Sequence, residues 1–287
     1  MNISYKLLDW IDPNKLDWCV LSQNPKAIDL LKKNKDKIDW EYLCYNKNAI
    51  DLLLENFDQI DWSYLSENEN SILILEKYPE KIEWLSLSEQ PKAIEFLTKN
   101  QDKINWRMLC YNIKAIDLLK KNKDKIDWSF LSYNKNAIEI LKENQDKIDW
   151  YRLSENTGAI QLLKENIDKI YWSQLSMNPK AIEILKEHQD KIDWTALSFN
   201  ENAIDLIKQN LDKIDWHYLC YNRNAIEILE KNLDKINWKY LSTNSNAISI
   251  LKKHKNKIDY EALSENEGIF ILDYENIFCS KKRKYIG

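Results

Sequence analysis

The chain has 287 residues, 44% of them hydrophobic, with 42 Lys+Arg against 46 Asp+Glu. The net charge of −4 gives no general attraction to polyanions, and only three glycines and five prolines argue against an all-β fold with its many turns. No apolar run reaches the roughly 18 residues of a membrane span, and five cysteines without CxxC or Cys/His clustering read as reduced thiols in a cytosol-like compartment.

Residues 1–17 form an N-terminal cap. They lack the apolar stretch of a secretory signal and resemble the second half of a repeat, with Leu16-Asp17-Trp18 echoing Ile38-Asp39-Trp40 but the helix out of phase. From Trp18 the chain keeps a strict period. Trp18, Trp40, Trp62, Trp84, Trp106, Trp128, Trp150, Trp172, Trp194, Trp216 and Trp238 are spaced by 22 residues, and Tyr260 takes the next beat. Such a period means one supersecondary unit stacked on copies of itself. With these residues as position 1, residues 18–272 make twelve repeats, repeat 1 from Trp18 and repeat 12 from Tyr260.

Within each repeat two short helices are predicted. Position 22, usually Asp or Asn, is an N-cap for a first helix over positions 1–6. Trp at 1 and Leu at 4 share one face of it. Ser or Cys at position 5 is small enough for close approach. Asn at position 7 is expected to cap a second helix over positions 8–16, with Pro25, Pro91 and Pro179 at its first position, where proline is tolerated. Apolar residues at 10, 11, 13 and 14 cover a wide arc, as in a helix wedged between neighbours. Asn at 17, as in Asn34, Asn56 and Asn100, is expected to stop that helix in the left-handed conformation. Ile at 21 returns to the core. A helix of nine residues is marginal alone in water, where roughly 12–15 are needed. Stacking supplies the rest: each buried Trp removes on the order of 150–250 Å² from water.

After Leu272 the pattern decays, and residues 273–287 read as a C-terminal cap and basic tail. Phe270, Tyr274 and Phe278 are expected to cover the last apolar face, since solenoids need atypical ends. The fold class is therefore all-α: an α-solenoid (superhelix) of about twelve 22-residue two-helix repeats. The leucine-rich repeat, the rival at this period, needs an apolar residue two before the Leu, where Glu41, Ser63, Arg107, Ser129, Thr195, His217 and Lys239 stand.

The repeat W-x-x-L-S-x-N-P-x-A-I-x-L-L-x-x-N-x-D-K-I-D, seen best from Trp172 to Ile182, resembles the short tandem repeat of proteins from giant DNA viruses of the mimivirus-like group. A bias towards Ile, Lys and Asn is similar to such genomes. The resemblance implies an all-helical repeat protein with no catalytic residues to carry over, placed in the host cytoplasm or virion.

No catalytic, cofactor or metal site is expected. His188, His217 and His254 fall at unrelated positions, and the repeated carboxylates at 12, 19 and 22 read as an exposed face, a loop and a cap. Lysine at position 20 offers a basic stripe, partly cancelled by the residue before it. Lys281, Lys282, Arg283 and Lys284 are a basic cluster, read as a solvated end or a nuclear-import signal. Recognition is expected where repeats differ. Positions 2, 3 and 6 point away from the Trp/Leu face, and positions 3 and 6 carry Tyr42, Tyr45, Tyr64, Tyr111, Phe130, Tyr133, Phe199, Tyr218, Tyr221 and Tyr240. Aromatics on a surface bring large contact area at low entropy cost. The expectation is a non-enzymatic, monomeric scaffold binding a protein or peptide along this face, away from membranes. The alternatives are single-stranded nucleic-acid binding by aromatic stacking, which the balanced charge disfavours, and self-assembly.

Overall fold

The structure, a computed structural model, describes residues 3–275. It is an all-α solenoid of 22-residue repeats, divided into two compact units: Met1–Ser71 with Ile236–Gly287, and Ile72–Lys235. Most repeats have three pieces rather than two. In repeat 1 they are a first helix Trp18–Gln23, a second helix Ile28–Lys33 and a 3-10 turn Lys35–Lys37.

The first helix is where the sequence places it, and its caps explain why. In repeat 7 the Asp149 carboxylate accepts the Arg152 N–H at 3.2 Å, while the Asp149 N–H donates to Ser132 Oγ at 3.0 Å. That hydroxyl donates in turn to the Trp128 carbonyl at 2.7 Å. Position 5 is therefore a hydrogen-bonding relay that joins the first turn of one helix to the start of the next. Cys44, Cys110 and Cys220 stand in the same place, their thiols donating to the position-1 carbonyl at 3.2–3.3 Å.

The second helix departs from expectation. It begins at position 11, not 8, and the residue before it is a buried alanine whose side chain caps nothing. Pro25 and Pro179 stand in the preceding turn, and Pro91 opens a 3-10 turn, Pro91–Ala93. The reason is a different use of the position-7 asparagine. Its Oδ1 accepts the N–H of position 9, as Asn134 does from Asn136 at 3.0 Å, closing a turn instead of a helix. Its Nδ2 reaches back to the preceding repeat. Asn46 donates to the carbonyls of Ser22 and Asn24, both at 2.9 Å, and Asn134 to those of Cys110 and Asn112 at 2.8 and 3.1 Å. The same donation recurs at Asn68 and Asn266 in one unit and at Asn112, Asn156, Asn178, Asn200 and Asn222 in the other. These side chains are buried, so each amide satisfies carbonyls that water does not reach.

Two further corrections concern the turn after the second helix. Position 17 is not left-handed: no described residue has a positive φ, and Asn34 sits at φ −135°. Its amide instead donates to the Leu30 carbonyl at 2.9 Å, which ends the helix from within. The tryptophans are half-buried rather than core. Position-20 lysines lie over their rings, with Lys125, Lys147, Lys169 and Lys235 Nζ at 4.3–4.6 Å from the centroids of Trp106, Trp128, Trp150 and Trp216. A lysine stem and ammonium cover an indole face while the charge stays wet. The core proper is Leu at 4, Ala at 10 and Leu or Ile at 14, typified by Leu131, Ala137 and Leu141 with no exposure.

Within the first unit the N-terminal residues stand against the last repeat where a closing segment stands in the others. The 3-10 turn Pro13–Lys15 takes the place of positions 18–20, buried Leu16 that of position 21, and Asp17 that of position 22. Asp17 N–H donates to Ser264 Oγ at 2.8 Å, Lys15 lies 5.2 Å from the Tyr260 ring centroid, and Asn24 Nδ2 donates to the Ser264 carbonyl at 3.2 Å. These are the bonds that join successive repeats elsewhere. Where the last second helix is missing, strand β1 (Tyr5–Leu7) pairs antiparallel with β2 (Phe270–Leu272), Lys6 opposite Ile271. Phe270 is buried there, whereas Tyr274 is exposed; Phe278 lies outside the described residues.

One cap is missing. Among the described residues, eleven of the twelve first helices have a capping side chain, and the exception is Trp172–Met177, preceded by half-exposed Tyr171. Replacing Tyr171 with Asp is expected to raise stability by about 1 kcal/mol in urea unfolding, as restored N-caps do. No gain would mean that the edge-on contact of Tyr171 with Tyr151, at 5.5 Å between centroids, is worth as much as the cap.

The thiols give a second expectation. Burial pushes Cys44 and Cys110 up to about 11, and burial followed by the hydrogen bond to Asp39 does the same for Cys19. At pH 8 roughly one such thiol in a thousand is ionised. In a variant with Cys279 replaced by Ser, Ellman's reagent is expected to leave Cys44 and Cys110 unlabelled at pH 8 until urea unfolds the chain. A thiol pKa raised by folding stabilises the native state below the unfolded value of about 8.5, and that contribution fades as pH climbs towards 11. Stability should fall across that window.

Candidate functional site

The face built by positions 2, 3 and 6 of the first helices carries the aromatics singled out from sequence. Their placement is neither core nor free. Tyr42, Tyr133 and Tyr221 are exposed at 38%, 43% and 37%, and the other seven are half-buried. They meet across repeats, position 6 of one against position 3 of the next. In the first unit Tyr45 packs on Tyr64 at 4.9 Å, with Tyr42 nearby. Burial, and then the Glu67 carboxylate, raise the Tyr45 phenol above its ordinary value.

In the second unit two clusters form. Phe199 meets Tyr218 at a tilt, 4.5 Å between centroids, and stacks on Tyr221 at 5.7 Å. Tyr111 meets Phe130 at 4.8 Å and the edge of Tyr133 at 5.7 Å. The Tyr111 cluster is elaborated by charges that the sequence reading did not single out. Arg107 and Arg152 place their guanidinium carbons 4.2 and 4.9 Å from the Phe130 ring centroid. Both are neutralised, Arg107 by Asp127 at 3.6 Å and Arg152 by Asp149 at 3.5 Å. Arg152 Nη1 also donates to the Tyr111 hydroxyl at 2.8 Å, and the Tyr133 hydroxyl donates to Glu155 at 3.2 Å. Burial first, and then Glu155, push the Tyr133 phenol up. The signal for these partners was present in the register: Arg107, Arg152 and Glu155 stand at positions 2, 3 and 6 of repeats 5 and 7.

Beside this cluster lies a groove of about 700 Å³, lined by Glu89, Tyr111, Ile113, Tyr133, Asn134, Lys135, Glu155, Asn156 and Thr157. These are positions 6, 7 and 8 of repeats 4 to 7, so the groove crosses the stack at the C-terminal ends of the first helices. Position-9 asparagines donate to the position-8 carbonyl of the preceding repeat, as Asn136 does to Ile113 at 2.8 Å. Gly158 has no side chain to give Lys135 the same cover, and its backbone lies so close that an added Cβ would sit 2.4 Å from the Lys135 oxygen.

Other candidates resolve into structure. The position-20 lysines are drawn onto indole rings, not arrayed as a stripe. His188 and His254 pack on Trp172 and Trp238 of their own repeats at 5.2 and 5.3 Å. Position-12 carboxylates pair with lysines at 15 and 16, and hydrogen bonds from Lys231 and Lys208 hold Glu227 down at about 2. Among the described residues no group of three or more His, Cys, Asp or Glu is arranged to hold a metal, and no helix is long and apolar enough to cross a membrane. Lys281, Lys282, Arg283 and Lys284 lie outside the described residues.

Comparison with protein-family models, with curated proteins and with solved structures found no match. The likeness to giant-virus tandem repeats therefore rests on the residues of the repeat alone.

Proposed function

We propose that this protein is a non-enzymatic scaffold that binds a protein or peptide segment along its first-helix face. The observation that carries this reading is the half-exposed aromatic pairing of Tyr111, Phe130 and Tyr133 beside an open groove. Rings held by a neighbour lose little entropy on binding, and a tyrosine packs its face while its hydroxyl stays hydrated. The residues that recur from repeat to repeat, Leu at 4, Ala at 10 and Asn at 7, are spent on stacking. What differs between repeats is concentrated on the opposite face, where a solenoid presents an extended surface. The self-assembly reading is weakened in the first unit, where the end of the array is covered by its own N-terminal residues.

The test is selection of a displayed random peptide library on the immobilised protein. The wild type is expected to enrich a consensus, and the double variant Tyr133→Ala, Tyr221→Ala to bind it at least about tenfold more weakly, a modest hot-spot loss, with an unchanged melting curve. Enriched peptides that bind wild type and variant alike place recognition away from this face. Single-stranded DNA binding that falls steeply with salt would favour the nucleic-acid alternative.

A further inference from the structure

We infer that Trp40 and the carboxylates around it bind the ammonium of a lysine side chain from a partner protein. This site uses none of the aromatic pairs of positions 3 and 6, so it stands whether or not they select peptides. In six other repeats a position-20 lysine lies over the ring of its own position-1 tryptophan, with Nζ 4.3–5.0 Å from the centroid. Repeat 2 departs from this in sequence: Gln59 stands at position 20, where the ten other complete repeats carry lysine. A neutral amide brings no positive charge to the negative face of an indole, and Trp40 is half-exposed.

The surroundings of Trp40 carry the charge that an ammonium needs. With Gln59 it lines a groove of about 530 Å³ together with Asp39, Glu41, Asp58 and Asp61, and no cation is among the lining residues. Asp39 and Asp61 are fixed in place as helix caps, accepting the N–H groups of Tyr42 at 3.0 Å and of Ser63 and Tyr64 at 2.9 and 3.1 Å. Glu41 and Asp58 are exposed. Lys37, one repeat earlier in the same register, is held over Trp18 at 4.7 Å.

The equivalent groove of repeat 7 identifies the occupant. There Asp149, Trp150, Tyr151, Asp168 and Tyr171 line a groove of about 500 Å³ with Lys169, whose ammonium lies 4.6 Å from the Trp150 centroid. Repeat 2 keeps the carboxylates of Asp149 and Asp168 as Asp39 and Asp58. It places Glu41 where Tyr151 stands, Asp61 where Tyr171 stands and Gln59 where Lys169 stands. The changes run one way, to two more carboxylates and one fewer ammonium. A lysine from outside restores the balance, its stem on the indole and its N–H groups donating to carboxylates.

The test uses the full chain labelled with 5-fluorotryptophan, the Trp40 fluorine signal being assigned by its loss in Trp40→Phe. The probes are Nα-acetyllysine amide, the same compound acetylated at Nε, and Nα-acetylarginine amide. The lysine compound is expected to shift the Trp40 signal and to bind at least about fivefold more tightly than its Nε-acetylated form, which has lost the charge. Gln59→Lys gives repeat 2 the residue of the other repeats, and is expected to fold as the wild type and to weaken lysine binding at Trp40 at least about fivefold. Glu41→Gln with Asp58→Asn is expected to weaken it by a similar factor. No shift at Trp40 overturns the assignment, as does equal binding of the Nε-acetylated compound or an undiminished response in Gln59→Lys. Tighter binding of the arginine compound overturns the choice of lysine.

Discussion

The structure depends on the side-chain amide of the position-7 asparagine. Within each unit such an asparagine fixes its own turn through Oδ1 and ties its repeat to the one before through Nδ2, as Asn134 does with Asn136, Cys110 and Asn112. The turn after the first helix cannot be helical, because the amide holds the chain there in another shape. Helices of six residues such as Trp18–Gln23 and Ile28–Lys33 are far below the length that holds in water. They exist because Leu at 4 and Leu at 14 are buried against neighbours whose spacing the amides set. An amide in a dry interior is a strong constraint: removing it leaves two carbonyls without a partner, at roughly 1–3 kcal/mol for each group left unsatisfied.

The same constraint explains how the array ends in the first unit. Asn24 has no preceding repeat in sequence, yet it bonds the Ser264 carbonyl of the last one. Residues 13–17 then behave as the closing segment of repeat 12, with Asp17 on Ser264 and Lys15 on Tyr260. A solenoid end normally exposes an apolar face that needs a dedicated cap. Here the N-terminal residues cover the last repeat, and the short β1–β2 pair fastens them.

Much of this was legible in the sequence, and the failures are instructive. The period, the position-22 caps and the Leu, Ala and Ile core follow from spacing alone, because local hydrogen bonds and burial repeat with the chain. The echo of Leu16-Asp17-Trp18 in Ile38-Asp39-Trp40 was visible too, but that it completes repeat 12 depends on a contact across 247 residues, which no local pattern carries. Asn at 7 reads as a helix cap because both roles use the same Oδ1, and only the packed neighbour reveals what Nδ2 does. Tryptophan at position 1 reads as core on size, whereas the lysine nineteen residues later covers its face. On the candidate site, the aromatic positions were legible from register. The pairing of Tyr111 with Arg152 joins repeats 5 and 7, and needed the stack itself to be seen.

The central claim is that position-7 amides join neighbouring repeats within each unit and that, in the first unit, Asn24 continues this pattern between the first repeat and the last. Hydrogen exchange followed by mass spectrometry on Asn24→Ala tests it most directly, since Ala keeps the backbone and removes only the bonds to Ser264 and Lys26. The account predicts faster exchange in repeat 1 and, in the same variant, in residues 260–272 of repeat 12, with residues 106–150 protected as in the wild type. Faster exchange confined to repeats 1 and 2, with residues 260–272 unchanged, would contradict it.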